Sequence, residues 1–163
     1  MWENERFSCC FSGHRDLPGE EVAALFAELL EKIRFLYARG FRRFLSGGAL
    51  GFDLLAARAV LDEKREHPDI LLHLALPCPD QAKHWNPADR ALYERMVGLA
   101  DEVTVVSPGY TPGCMQRRNR FLVDESDACI AYLTKLTGGT AYTVAYANKK
   151  NIPVYLLRGK SET

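Results

Sequence analysis

The chain has 163 residues and a mass of 18.4 kDa, the length of one domain of ordinary size. Lys plus Arg and Asp plus Glu number 21 each, so no net charge draws it to nucleic acid or an anionic membrane. No apolar run approaches the length of a transmembrane helix, and Met1 to Glu5 has neither the basic start nor the apolar stretch of a signal peptide.

Phe7 to Phe11 is a compact apolar run and reads as a buried strand, with Cys9 and Cys10 on opposite faces. The loop Ser12 to Asp16 follows. Val22, Leu25, Phe26, Leu29, Ile33, Leu36 and Tyr37 recur at helical spacing between Gly19 and Arg39, and Gly40 stands in the usual C-terminal position. Phe41 to Leu45 predicts a second strand and Phe52 to Glu66 a second helix, stopped by Pro68. Ile70 to Leu76 is a third strand. A long connection through Gln81, His84 and Trp85 leads to a helix from Pro87 to Leu99. Glu102 to Val106 is a fourth strand, Met115 to Glu125 a helix, and Ala128 to Leu133 a fifth strand. A last helix opens at Thr137-Gly138-Gly139-Thr140 and runs to Lys150. Ile152 to Leu157 is a sixth strand, marked as an edge by Pro153.

Six strands alternating with helices predict an α/β fold: a single-domain, Rossmann-like three-layer sandwich with a mainly parallel six-stranded sheet. One domain is expected over 1–163, with its core at about 6–157. Right-handed crossovers gather every strand-to-helix loop at one sheet edge, where ligands of open α/β sheets bind. Five cysteines at irregular spacing read as buried thiols of a cytoplasmic protein. The four histidines show no ligand pairing, so no metal is expected, and no cofactor is assigned.

The loops at that edge carry the chemistry. Ser46-Gly47-Gly48-Ala49-Leu50-Gly51 matches the dinucleotide fingerprint with Ser46 in the first glycine place. It reads as a backbone cradle for an anion at a helix start, or as a tight turn with no ligand. Asp53, in the first turn, either binds a ribose hydroxyl or complements the helix dipole. Thr137-Gly138-Gly139-Thr140 is a second anion-ready turn, or a plain helix start. Gly13, His14 and Arg15 add donors beside the first strand, with Arg15 either a bidentate phosphate ligand or a solvated surface arginine. Of Arg117, Arg118 and Arg120, only one or two can reach a site from one helix. Trp85 and Tyr110 either stack on a base or pack under their own loops.

The order and spacing of Gly13-His14-Arg15, the run Ser46 to Asp53, Gln81 with Trp85, Arg118-Asn119, Ser126-Asp127 and Gly138-Gly139-Thr140 resemble the YpsA-like branch of the SLOG superfamily. That superfamily groups Smf/DprA DNA-processing proteins with Lonely Guy phosphoribohydrolases. The resemblance implies a Rossmann-like sheet that binds nucleotides or nucleotide-derived ligands. Lonely Guy enzymes use an Arg nine residues before the Asp of a Ser-Asp pair, as Arg118 stands to Asp127 here. They also use a Glu just after a glycine-rich turn. Here residues 141 to 147 hold no carboxylate, and Thr143 is the nearest match. A hydroxyl cannot replace a titrating acid in N-glycoside hydrolysis.

The expected ligand set is therefore Gly13, His14, Arg15, Ser46, Gly47, Gly48, Gly51, Asp53, Trp85, Arg118, Asn119, Thr137, Gly138, Gly139, Thr140 and Thr143, with no catalytic residue assigned. The expected function is binding of a nucleotide or nucleotide-derived small molecule without turnover, by a sensor, sequestering or regulatory protein. The alternatives are a nucleoside 5′-monophosphate N-glycosidase using Asp53 or Asp127, and single-stranded DNA binding like DprA, which zero net charge argues against. The Lonely Guy resemblance also implies a homodimer or larger homo-oligomer, with Leu92, Met96 or Leu122 as apolar contacts.

Overall fold

The computed structural model describes residues 6–159; Met1 to Glu5 and the polar tail after Gly159 lie outside the described residues. The elements run β1 (Phe7–Ser12), α1 (Gly19–Tyr37), β2 (Phe41–Ser46), α2 (Phe52–Glu66), β3 (Leu71–Leu76), α3 (Pro87–Leu99), β4 (Glu102–Val105), α4 (Cys114–Asp124), β5 (Ala128–Ala131), α5 (Gly139–Lys149) and β6 (Val154–Leu156). The sheet order is β4-β3-β2-β1-β5-β6. Every pairing is parallel, so the sheet is wholly rather than mainly parallel. β6 lies at one edge, as Pro153 suggests, and β4 at the other.

Side chains alternate across the sheet and split the core in two. Cys9, Phe11, Phe44, Leu72 and Leu74 face α1, α2 and α3. Cys10, Leu45, Ala75, Cys129 and Ala131 face α4 and α5. α1 contributes Leu25, Leu29, Ile33 and Leu36, all buried and spaced to lie on one stripe. Each such side chain stabilises the fold by roughly 1.5–3 kcal/mol. α3 starts where Pro87 follows Asn86, whose side chain accepts the Asp89 N–H.

Two strands are shorter than the apolar runs suggest. β5 ends at Ala131 because its partner in register there, Ser12, is the last residue of β1. β6 has three residues because β5 offers only Cys129 to Ala131 to pair with. Met96 and Leu122 are buried in the chain's own core, which removes them as contacts between copies. Among the described residues no helix is long and apolar enough to cross a membrane.

Candidate functional site

The chain builds outward from β1 through β2, β3 and β4, then crosses back to place β5 on the other side of β1. That reversal leaves a crevice beyond the carboxyl ends of β1 and β5. A cavity of about 200 Å³ fills it, walled by the end of β1 (Phe11, Ser12), its loop (Gly13, His14, Arg15), the start of α2 (Ala49, Asp53), α4 (Met115, Arg118, Asn119, Leu122) and the start of α5 (Gly139, Thr140). A larger groove of about 450 Å³ lies between α1, α2 and α3, away from the strand ends.

Arg118 is the buried cation of the cavity, 4% exposed. Its Nη1 donates to Gly47 O at 2.5 Å and to Ala75 O at 3.4 Å, and its Nε donates to Asn119 Oδ1 at 3.0 Å. The last bond leaves the Asn119 Nδ2 turned toward α5, 3.7 Å from where a Gly139 Cβ would stand. Burial disfavours the Arg118 charge, and the negative charge of Asp53 opposes that effect. Asp53 is buried too, and burial pushes its carboxyl up from 3.8 to about 6, against the pull of Arg118. Gly47 is needed where it stands, because a Cβ there would collide with the Arg118 guanidinium and lie 2.7 Å from Asp53 Oδ2.

The two glycine turns differ in what they offer. In the Ser46–Gly51 turn three donors are used within the chain. Gly48 N–H donates to Ser46 Oγ (3.2 Å), Ala49 N–H to Asp53 Oδ2 (3.3 Å), and Ser46 Oγ to Asp53 O (2.8 Å). Phe52 N–H is held by His14 O, and Gly51 packs against the Arg15 backbone. Asp53 thus supplies the negative charge that the start of α2 attracts. Neither Gly51 nor Gly138 makes a side-chain cap, but the first turn of α5 holds no acid, and its first intrahelical bond is Tyr142 N–H to Gly138 O. The N–H groups of Gly139, Thr140 and Ala141 are the free donors of that helix.

The structure brings Gly13, His14, Arg15, Asp53, Arg118, Asn119, Gly139 and Thr140 to one cavity wall. Ser46, Gly47 and Gly51 stand behind that wall and support it. Gly48 faces away, toward Leu76 and Tyr93. Thr137 and Gly138 are exposed at its rim. Thr143 turns back onto its own helix, donating to Gly139 O at 2.8 Å. Trp85 packs edge-on against Tyr93, with ring centroids 5.2 Å apart, because its loop folds onto the α1–α3 side of the core. His14 accepts the Thr134 N–H at Nε2, 2.9 Å away, so that nitrogen carries no proton to offer a ligand. Arg117 pins the loop before α4, donating to Ser107 Oγ, Thr111 Oγ1 and Pro112 O. Asp127 receives the Ser8 N–H at the opposite end of the sheet. The expected ligand set lacks Phe11, Ser12, Ala49, Met115 and Leu122, although Met115 and Leu122 each lie one helical turn from Arg118.

Known proteins share this fold. The DNA processing protein A of Helicobacter pylori, studied for its single-stranded DNA binding mode, superposes with a TM-score of 0.67 at 18% identity over 93% of this chain. The DprA of Streptococcus pneumoniae gives 0.67 at 17% identity over 95%. The molybdenum cofactor binding protein of Rippkaea orientalis gives 0.59 at 21% identity over 94% of this chain and 77% of its own. The chain spans 65% of the H. pylori protein and 51% of the S. pneumoniae one. At these identities the likeness is one of fold. The expectation that nucleic acid is not a partner gains nothing from it, since one of these neighbours binds single-stranded DNA. In sequence, the SPbeta prophage-derived protein YoqJ of Bacillus subtilis is 35% identical over 119 residues, 66% of this chain and 70% of that one. A UPF0398 protein of Bacillus pumilus is 30% identical over 132 residues, 78% and 71% of the two chains. The profile of the YspA SLOG family matches residues 16–158, which takes in all the cavity walls except the end of β1 and its loop, and the chain belongs to that family.

Proposed function

We propose that this protein binds a nucleotide or nucleotide-derived ligand in the switch-point cavity and does not turn it over, acting in the cytoplasm as a sensor, a sequestering protein or a regulatory partner. One observation carries the reading: the cavity joins an uncapped helix start to a buried cation and a buried acid. The free N–H groups of α5, the Asn119 amide and Arg118 suit a phosphate. Asp53 suits a hydroxyl donor. The first turns of α5 hold no carboxylate where the related hydrolases place one.

A second reading, N-glycoside hydrolysis, has one observation in its favour. Asp53 lines the same cavity, and its carboxyl is pushed up to about 6, within the range that suits proton transfer near neutral pH. Two measurements on the purified protein decide. Native mass spectrometry reads a retained nucleotide, and chromatography reads free base released from a panel of nucleoside monophosphates over hours. Retention or binding without base release is the expected result. Base release that disappears in Asp53→Asn assigns the second reading. A protein that neither retains nor binds any nucleotide refutes both.

A further inference from the structure

The cavity is unequal at its two ends, and this inequality, which rests on the nucleotide reading above, says which part of the ligand it holds. At the α2 end the Gly48 and Ala49 N–H groups are already used by Ser46 and Asp53, and the Asp53 carboxylate would repel an anion. At the α5 end the N–H groups of the first turn are free and the Asn119 Nδ2 lies beside Gly139, with no acid in that turn. A phosphate has one seat, on α5. Asp53 Oδ2 is taken by the Ala49 N–H, while a carboxylate has acceptor capacity on both oxygens. Asp53 lines the cavity, and its remaining capacity matches sugar hydroxyls, the pairing that acidic residues make with ribose in dinucleotide-binding sheets.

The volume then limits the rest. About 200 Å³ is below the roughly 300–1,000 Å³ of sites that enclose a whole drug-sized ligand. Nor is a ring of the wall free to stack on a base. Of the two aromatic rings in the lining, Phe11 is fully buried and stacked on Phe44, and His14 stands edge-on to Tyr132 with its Nε2 held by the Thr134 N–H. Trp85 is engaged with Tyr93, and Tyr110 stands outside, 76% exposed. We propose that the site takes a pentose 5-phosphate, with its phosphate on the start of α5 and its hydroxyls on Asp53, and leaves the base outside, so that recognition is indifferent to which base is attached.

The test is isothermal titration of nucleotide-stripped protein with ribose 5-phosphate, AMP, CMP, UMP and inorganic phosphate. Ribose 5-phosphate and the three nucleotides are expected to agree within about threefold, with inorganic phosphate weaker by about tenfold or more. Asp53→Asn is expected to weaken ribose 5-phosphate by about tenfold, the scale of a hydrogen bond to a charged group, while inorganic phosphate binds as well or better. AMP binding about tenfold or more above both ribose 5-phosphate and CMP would overturn base indifference and leave the nucleotide reading standing. Equal losses of both ligands in a folded Asp53→Asn variant would overturn the assignment of the sugar to Asp53. Failure of all five ligands to bind the wild-type protein would overturn this inference together with the reading it rests on.

Discussion

Replacing Asp53 by Asn tests the electrostatics of the cavity without any ligand. Burial raises the Asp53 carboxyl from 3.8 to about 6, and a shift of about two pKa units corresponds to roughly 3 kcal/mol. Between about pH 4 and pH 6 the folded protein keeps a proton that the unfolded chain has already lost. Stability from this group is therefore full at low pH and falls as pH rises through that window. Above it the ionised carboxylate holds the folded state down by the whole amount. Asn has nearly the same shape, keeps an oxygen for the Ala49 N–H and does not titrate. The stability of Asp53→Asn minus that of wild type should grow by about 3 kcal/mol from pH 4 to pH 7 and stay level above that. Urea denaturation at unit steps of pH, followed by far-ultraviolet circular dichroism, measures the difference directly. A difference that does not change with pH, or that grows as pH falls, would refute the argument. The second outcome would mean that the pull of Arg118 exceeds the effect of burial.

Three further substitutions probe the surrounding frame. Gly48 has a φ of +69° and lies where a Cβ would come within 3.1 Å of Leu76, so Gly48→Ala should cost about 1–3 kcal/mol of stability; an unchanged melting temperature would contradict this. In a folded variant, phosphate affinity should be unaltered, because the residue faces away from the cavity. His14→Gln should keep an acceptor for the Thr134 N–H at every pH. The wild-type imidazole loses its acceptor on protonation, below its usual range because burial and Lys135 lower its pKa. The protection of the Thr134 amide from hydrogen exchange, relative to its intrinsic rate, should fall in acid for wild type alone; parallel profiles would rule the bond out. Arg117→Ala should free the loop that carries Tyr110, speeding chymotryptic cleavage there at a cost of about 1 kcal/mol or less in global stability; cleavage at the wild-type rate would show that other contacts hold it.

The alternation of strand and helix was legible because each element carries its own period, and the sheet edge where the loops meet followed from handedness alone. The helix left open which of Arg117, Arg118 and Arg120 reaches the site, and Arg118 with Asn119 was singled out by the family resemblance. The work of the Ser46–Gly51 turn was not legible. Its glycines look like an anion cradle in sequence, but whether their N–H groups face a ligand depends on where the Ser46 and Asp53 side chains turn. The same turn is held by Arg118, far away in the chain, which donates to Gly47 O. Trp85 was misleading for a similar reason. Its loop is anchored by contact with Tyr93 on α3, and nothing in the spacing of the loop says which way the ring folds. Thr143 sits at the position of the missing acid, yet a threonine inside a helix has its own backbone to bond, and it does so.

The walls of the cavity come from residues 11–15, 49–53, 115–122 and 139–140, and their meeting depends on β1 pairing with β5. One bond at that seam, from Ser8 N–H to Asp127 Oδ2, spans 119 residues of chain. Pairings so distant in sequence close slowly, because the entropy of the intervening loop must be lost before any contact compensates for it. A ligand that bridges α4 and α5 across this seam can act only on the closed state. It would lengthen the lifetime of the folded protein while leaving the speed of folding unchanged, so occupancy of the cavity sets how long the molecule persists rather than how readily it forms.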